Sequence, residues 1–178
     1  MEMHSIRPAA VAGMFYPGDP RTLAGEVEAM LAVAGAVSPA PTCVQPKALI
    51  APHAGYIYSG PIAASAYALL APYAQTIRRV VLLGPCHRVA VRGLAVPHVR
   101  AFATPLGDIP VDQEAIVTAF QLPQVVQHDG AHAEEHSLEV QLPFLQEVLD
   151  DFQLVPFAVG YATADEVAEV LDLLWGGP

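Results

Sequence analysis

Two histidines follow short apolar runs that are typical of buried strands. His53 comes after the run 47–52, and His87 comes after the run 79–84, each on a turn that proline and glycine stiffen. In open α/β sheets, ligands bind beyond the carboxyl ends of the strands, where two neutral imidazoles can share one divalent metal ion. The spacing leaves open the alternative that each histidine caps a helix or bonds a backbone carbonyl.

A second cluster, residues 128–139, contains three histidines and four acidic residues. On a continuous helix, His132 and His136 would lie one turn apart on the same face, with Glu139 three residues further on. Residues 132–136 also match the H-x-x-E-H pattern of inverted zinc peptidases, in which two histidines bind Zn²⁺ and a glutamate is the general base. The alternative is a polar helix N-terminus, where acidic side chains complement the helix dipole.

Two further side chains adjoin the first pair of histidines. Cys86 precedes His87 and is read either as a thiolate or soft metal ligand, or as a small turn residue. Tyr56 follows His53 and either lines a pocket or packs in the core. Phosphate-binding loops, the dinucleotide fingerprint, the G-x-S-x-G elbow and C-x-x-C pairs are absent from the sequence.

The elements that would position these residues alternate along the chain. A helix is predicted to begin at Asp19 and Pro20, a capping residue and a good first helical residue, and to end at Gly35. A further helix is predicted to open at Pro61, and the helix over 134–149 should bend or split at Pro143. The remaining predictions are strands at 93–96 and 152–159 and helices at 112–120 and 163–175. This alternation predicts an α/β fold with a mostly parallel or mixed sheet and helices on both faces.

Length and composition limit the classes of protein to consider. The 178 residues suit a single domain, 1–178, and 53% are apolar, which is enough for a sizeable core. The net charge is −10, and residues 101–178 contain no lysine or arginine, so neither nucleic acid nor an anionic membrane is expected as a partner. Two cysteines, Cys43 and Cys86, are too few for a disulfide framework, and we expect a cytoplasmic protein.

Four segments, in this order along the chain, resemble the Memo family, whose fold is similar to that of the class III extradiol dioxygenases. The segments are RPAAVAGMFYP at 7–17, PHAGYIYSG at 52–60, GPCH at 84–87 and EHSLEVQLPF at 135–144. The resemblance implies that His53 and His87 are ligands of a divalent metal, with iron expected and copper or zinc as alternatives. It further implies a pocket that includes Tyr56, Cys86, His136 and Glu139, while no catalytic residue is assigned.

The resemblance also implies that this chain matches only the N-terminal portion of the family's domain. Family members continue past the position of Pro178 through a segment that resembles an acid/base pair and a later metal ligand. We therefore expect an exposed sheet edge, a tendency to form homo-oligomers, and little activity of this chain alone.

Three functions follow as hypotheses. The first is metal-dependent redox or ring-opening chemistry on a small phenolic substrate. The second is a non-catalytic protein that binds a peptide or a metal. The third is a zinc peptidase that uses His132 and His136.

Overall fold

The structure, a computed structural model that describes residues 6–37 and 45–176, has an α/β fold with two sheets. Its strands are β1 (Ile6–Arg7), β2 (Arg79–Pro85), β3 (Leu94–Val96), β4 (Ala101–Thr104), β5 (Gly107–Pro110), β6 (Val125–Gln127) and β7 (Gln153–Val159). Its helices are α1 (Pro20–Val37), α2 (Tyr56–Tyr67), α3 (Gln113–Ala119), α4 (Asp129–Ala133), α5 (His136–Glu139), α6 (Leu142–Val148) and α7 (Ala164–Leu174), with a 3₁₀ helix at Ala68–Tyr73.

The larger sheet has the strand order β2-β7-β3-β6. Strand β7 pairs with β2 in parallel and with β3 antiparallel, while β3 and β6 are parallel. The smaller sheet, β1-β4-β5, joins a parallel pair to an antiparallel hairpin. The predicted α/β class with a mixed sheet is thus confirmed, although the strands form two sheets instead of one.

Strand β7 lies at the centre of the core because its middle residues are buried on both faces. Five consecutive residues, 154–158, are buried there, and three of them, Leu154, Val155 and Phe157, pack in a cluster that includes Phe102, Leu142 and Phe144. Among the described residues, no helix is both long and apolar enough to cross a membrane.

Several predicted boundaries agree with the structure, and the capping residues explain why. Helix α3 follows Asp112, whose Oδ1 accepts a hydrogen bond from the Ala115 amide at 2.9 Å, and α7 follows the capping box of Thr163 and Glu166. The predicted strands at 79–84, 93–96 and 152–159 correspond to β2, β3 and β7.

Two predicted helix boundaries are wrong. Helix α1 continues through Gly35 to Val37, because Gly35 does not take the positive φ that ends a helix. Helix α2 begins at Tyr56 and contains Pro61, which was expected to open it. The helix starts earlier because the Gly55 carbonyl accepts the Tyr58 and Ser59 amides at 2.9 and 3.1 Å.

The predicted buried strand at 47–52 is also wrong. These residues form no strand, and Ile50 is 100% exposed, although Leu49 and Ala51 touch the core. An apolar run becomes a strand only where a neighbour takes its backbone hydrogen bonds. In the described part of the chain, neither sheet contains a strand that pairs with residues 47–52. The edge strand β2 is hydrogen-bonded to β7 alone.

Candidate metal centre

Three histidines converge at one end of the larger sheet. The candidate ligand atoms of His53, His87 and His136 all lie within 4.8 Å of one another. The ring centroids are 5.3 Å apart for His53 and His87, 6.0 Å for His53 and His136, and 4.6 Å for His87 and His136. Two nitrogens bound to one ion at about 2.1 Å each can be at most about 4.2 Å apart, so the three imidazoles would have to move closer together to share one ion.

The three histidines come from three separate segments. His53 precedes α2, next to Pro52, whose carbonyl accepts a hydrogen bond from Gln141 Nε2 at 3.0 Å. His87 follows the end of β2, where the Cys86 amide still bonds the Val159 carbonyl at 2.8 Å. His136 is the first residue of α5. A loop before α2, the end of β2 and the start of α5 therefore supply the cluster, and the β2 end is the position expected for an α/β site.

A glycine in β2 allows α5 to approach the strand closely. A Cβ atom at Gly84 would lie only 2.6 Å from Ser137 Oγ and 3.0 Å from Leu138 Cδ2. The Ser137 hydroxyl donates to the Pro85 carbonyl at 2.8 Å, which fixes the helix against the end of β2. This contact lets the ring of His136 stack on that of His87, with 18° between the planes.

Glu135 orients His87 through a hydrogen bond to its ring. Its carboxylate, 1% exposed, lies 2.8 Å from His87 Nδ1 and accepts the His87 amide at 2.5 Å and the Ser137 amide at 2.9 Å. Burial works to raise the pKa of Glu135, but these hydrogen bonds outweigh it and lower the pKa to about 2. The ionised carboxylate can only accept, so Nδ1 of His87 carries the proton and Nε2 is left as the metal-binding nitrogen.

His136 is held in its neutral form. Burial is the largest cause that lowers its pKa. The neighbouring His87 and His53 lower the pKa further, whereas the negative charge of Glu135 raises it. Its Nδ1 atom is buried without a hydrogen-bond partner and lies 3.5 Å from Glu135 Oε1. The ring of Phe15 packs against it at 4.8 Å between centroids. An unsatisfied neutral imidazole in a cluster of three fits a transition-metal ligand set, because imidazole suits iron, copper, zinc and nickel.

A buried arginine, Arg7, connects the N-terminal segment to the segment that carries Glu135 and His136. Arg7 donates Nε to the His132 carbonyl at 2.9 Å and Nη2 to the Glu135 carbonyl at 2.8 Å, and its Nη1 pairs with the Glu139 carboxylate. Glu139 also accepts the Ala10 amide at 2.8 Å and, from Tyr16, a hydroxyl hydrogen bond at 2.6 Å. Arg7 therefore fixes the backbone on which Glu135 and His136 are placed.

The other residues expected in the pocket have different surroundings. Tyr56 is buried, and its hydroxyl donates to the Val140 carbonyl at 2.9 Å. Cys86 is half-buried, donates to the Val89 carbonyl at 3.1 Å, and lines an open cavity that His87 also lines. Glu139 is fully buried in the contacts described above. Cys43 lies outside the described residues.

The zinc-peptidase prediction is wrong because its helix is interrupted between the two histidines. Helix α4 ends at Ala133 and α5 begins at His136, with Glu135 as the capping residue of α5. His132 is 1% exposed, its Nε2 lies 2.9 Å from the Ala95 carbonyl, and burial lowers its pKa to about 4. Within the described ranges, the three-histidine group includes His136 and leaves His132 out.

Sequence reasoning left two functional assignments unmade. His136 was placed in the pocket wall without a ligand role, and the orienting carboxylate of Glu135 was not identified. The sequence contains one signal, the carboxylate of Glu135 directly before His136 in the cluster 128–139. That signal does not say which of four acidic residues in the segment reaches His87.

Comparison with known sequences agrees with the motifs. The profile of the Memo-like protein family matches residues 7–174. A MEMO1 family protein of Ignicoccus hospitalis is 41% identical over 165 residues, which cover 89% of this chain and 58% of that protein. A MEMO1 family protein of Methanocaldococcus jannaschii is 36% identical over 178 residues, which cover 94% of this chain and 62% of that protein. A MEMO1 family protein of Thermotoga neapolitana is 36% identical over 158 residues, which cover 85% of this chain and 57% of that protein. The chain thus spans about three-fifths of the length of these relatives, and over that span it belongs to the Memo family.

Proposed function

We propose that this chain binds one divalent transition-metal ion through His53, His87 and His136. The observation that carries the proposal is the convergence of three imidazoles whose ligand atoms lie within 4.8 Å of one another. Two features support it: Glu135 fixes the protonated nitrogen of His87, and the Nδ1 atom of His136 is buried without a partner. The first of these is typical of imidazoles that bind a metal.

Iron is the expected ion, with copper or zinc as alternatives. The proposed ligands are all neutral nitrogens, which disfavours magnesium and calcium because those ions select oxygen ligands. A thiolate ligand from Cys86 is not needed, since its sulfur donates to the Val89 carbonyl. Three protein ligands leave open positions for water or a small molecule.

The chemistry proposed for the site is redox or ring-opening chemistry on a small phenolic molecule, as the family resemblance implies. The bound ion would supply Lewis acidity and electron transfer at its open positions. The chain's own residues hold the ligands: Glu135 keeps the proton on His87 Nδ1, and Phe15 covers one face of His136. The chain spans about three-fifths of the length of its relatives. Catalytic turnover by the whole protein is therefore part of the proposal as well.

A second candidate is metal binding without catalysis, in which the chain holds or delivers the ion. One observation favours it. Glu135, the carboxylate in contact with two of the three histidines, already accepts three hydrogen bonds and has a pKa of about 2. Such a carboxylate is a poor proton acceptor near neutral pH, so it would not serve as a general base.

Metal titration of the purified chain tests the proposal. Fe²⁺ under anaerobic conditions, Cu²⁺, Zn²⁺ and Co²⁺ are each titrated, and bound metal is measured by elemental analysis. We expect one ion per chain in the wild type and loss of at least tenfold in affinity in His53→Ala, His87→Ala and His136→Ala.

The matched control is His128→Asn. The ring of His128 caps α4 by accepting the Ala131 amide at 3.1 Å, and asparagine is also a good cap, so this variant removes an imidazole while keeping the fold. Unchanged metal binding in all three cluster variants would contradict the proposal. Oxygen uptake with catechol by the Fe²⁺-loaded chain would then favour the catalytic candidate over the non-catalytic one.

A further inference from the structure

An open cavity of about 420 Å³ adjoins the histidine cluster, and His87 belongs to both. Ligand cavities in proteins are commonly about 300–1,000 Å³, so this volume suits a small molecule. Its lining comes from the end of β2 and the residues that follow it, 85–91, and from the end of β7 and the residues that follow it, 159–161.

The charge of this lining is opposite to that of the chain. Arg88 lines the cavity and no aspartate or glutamate does, whereas the chain as a whole carries a net charge of −10. Arg88 is exposed, so its guanidinium can reach a ligand in the cavity. It directly follows His87 in the chain, so it lies next to the cluster. The cavity is therefore a positive region on an acidic protein.

The proposed metal ion would add to this positive charge. Three neutral imidazoles contribute no charge to balance a divalent ion, and Glu135, which contacts His87 and His136, contributes a single negative charge. Open positions on such an ion favour anionic oxygen donors. Both Arg88 and the ion would attract an anion that enters the cavity.

The remaining walls are suited to an apolar body. Val89, Val91 and Val159 contribute aliphatic surface, and Tyr161 contributes an aromatic ring that is 77% exposed. Apolar walls with a few convergent polar groups are the usual composition of small-molecule sites.

We propose that the cavity beside His87 binds a small carboxylate with an apolar body, and that Arg88 pairs with its carboxylate. This inference rests on the proposed metal site, because the ion supplies part of the attraction for the anion. Arg88 is assigned the role of selecting anionic over neutral ligands. Arg88 is an exposed partner, so its contribution is moderate and falls as the salt concentration rises.

The experiment uses the full chain loaded with Co²⁺ and two probes of matched shape, benzoate and the neutral benzamide. Binding is measured by calorimetry and by the visible spectrum of the Co²⁺ ion. We expect the wild type to bind benzoate at least about tenfold more tightly than benzamide. In Arg88→Gln, benzoate affinity should fall about fivefold while benzamide affinity stays unchanged.

Arg92→Gln is the matched control, because Arg92 is also an exposed arginine after β2 but does not line the cavity. It should bind both probes as the wild type does, whereas Arg88→Lys should recover part of the preference for benzoate. The inference is overturned if benzoate does not bind, if the two probes bind equally, or if Arg88→Gln matches the wild type.

The Co²⁺ titration of the same samples keeps the two proposals distinguishable. If Co²⁺ binds but Arg88 has no effect on benzoate, the metal proposal stands and this inference fails. If Co²⁺ does not bind, the metal proposal fails. Benzoate is then titrated into metal-free wild type and Arg88→Gln, and equal affinities there overturn the inference on its own.

Discussion

The carboxylate of Glu135 offers the sharpest test of how this site is built, through the substitution Glu135→Gln. Glu135 accepts hydrogen bonds from His87 Nδ1 at 2.8 Å, from the His87 amide at 2.5 Å and from the Ser137 amide at 2.9 Å. Glutamine keeps one acceptor oxygen but turns an N–H₂ group toward at least one of these donors. The change therefore removes the negative charge next to His87 and leaves a buried donor without a partner.

The expected loss of metal affinity is about 10- to 100-fold, the usual effect of removing a group that orients a ligating histidine. This corresponds to about 1.4–2.8 kcal/mol of binding free energy. The pKa of Glu135 is about 2, so the wild-type carboxylate stays charged over the whole working range and the loss should not depend on pH above about pH 4.

The assay is a Zn²⁺ competition titration against a chromophoric chelator, carried out at a temperature well below unfolding. Metal-free samples are also unfolded in urea, because an unpaired buried donor lowers stability by about 1–3 kcal/mol on its own. The control is Glu134→Gln, which removes the same charge from the neighbouring exposed residue. Glu134→Gln should bind Zn²⁺ as the wild type does.

Zn²⁺ affinity in Glu135→Gln within about twofold of the wild type would refute the argument that this carboxylate prepares His87. Equal losses of Zn²⁺ affinity in Glu135→Gln and Glu134→Gln would also refute it, since they would show that only the net charge of the protein affects binding.

Three further substitutions test the packing around the site. Arg7→Ala should lower the free energy of unfolding, measured in urea, by about 3–5 kcal/mol, because it leaves the buried carboxylate of Glu139 without its arginine. Arg78→Ala, which removes the arginine of an exposed ion pair, should lower it by under about 1 kcal/mol. Burial lowers the pKa of His132 from 6.5 to about 4, so the unfolded chain takes up the proton first and stability falls as pH drops from about 6.5 to about 4. His132→Gln should remove about 3 kcal/mol of that fall, measured as urea midpoints across this pH range. Gly84→Ala should displace α5, because its Cβ would lie 2.6 Å from Ser137 Oγ, and should weaken both thermal stability and Zn²⁺ affinity.

The parts of the fold that could be predicted from sequence are those set by neighbouring residues. Asp112 and Thr163 mark the starts of α3 and α7 because each side chain caps amides two or three residues later. His53 and His87 could be paired because both follow turns at the ends of apolar runs, and the structure brings their rings to 5.3 Å.

The parts that could not be predicted depend on residues distant in sequence. The break between α4 and α5 coincides with the hydrogen bonds of Arg7 to the His132 and Glu135 carbonyls, which come from 125 and 128 residues away. That break separates His132 from His136 and turns the latter toward His87. For the run 47–52, periodicity indicates an apolar segment but cannot indicate whether a partner strand exists.

The attachment of Arg7 has a consequence for how the protein is made. Arg7 reaches Glu139 across 132 residues, and the three histidines span positions 53 to 136. Contacts of such long sequence separation form late, since a long loop must close first. During synthesis the ribosome would have to release the chain through residue 139 before a coordination sphere exists, so we expect metal capture only after this segment has emerged.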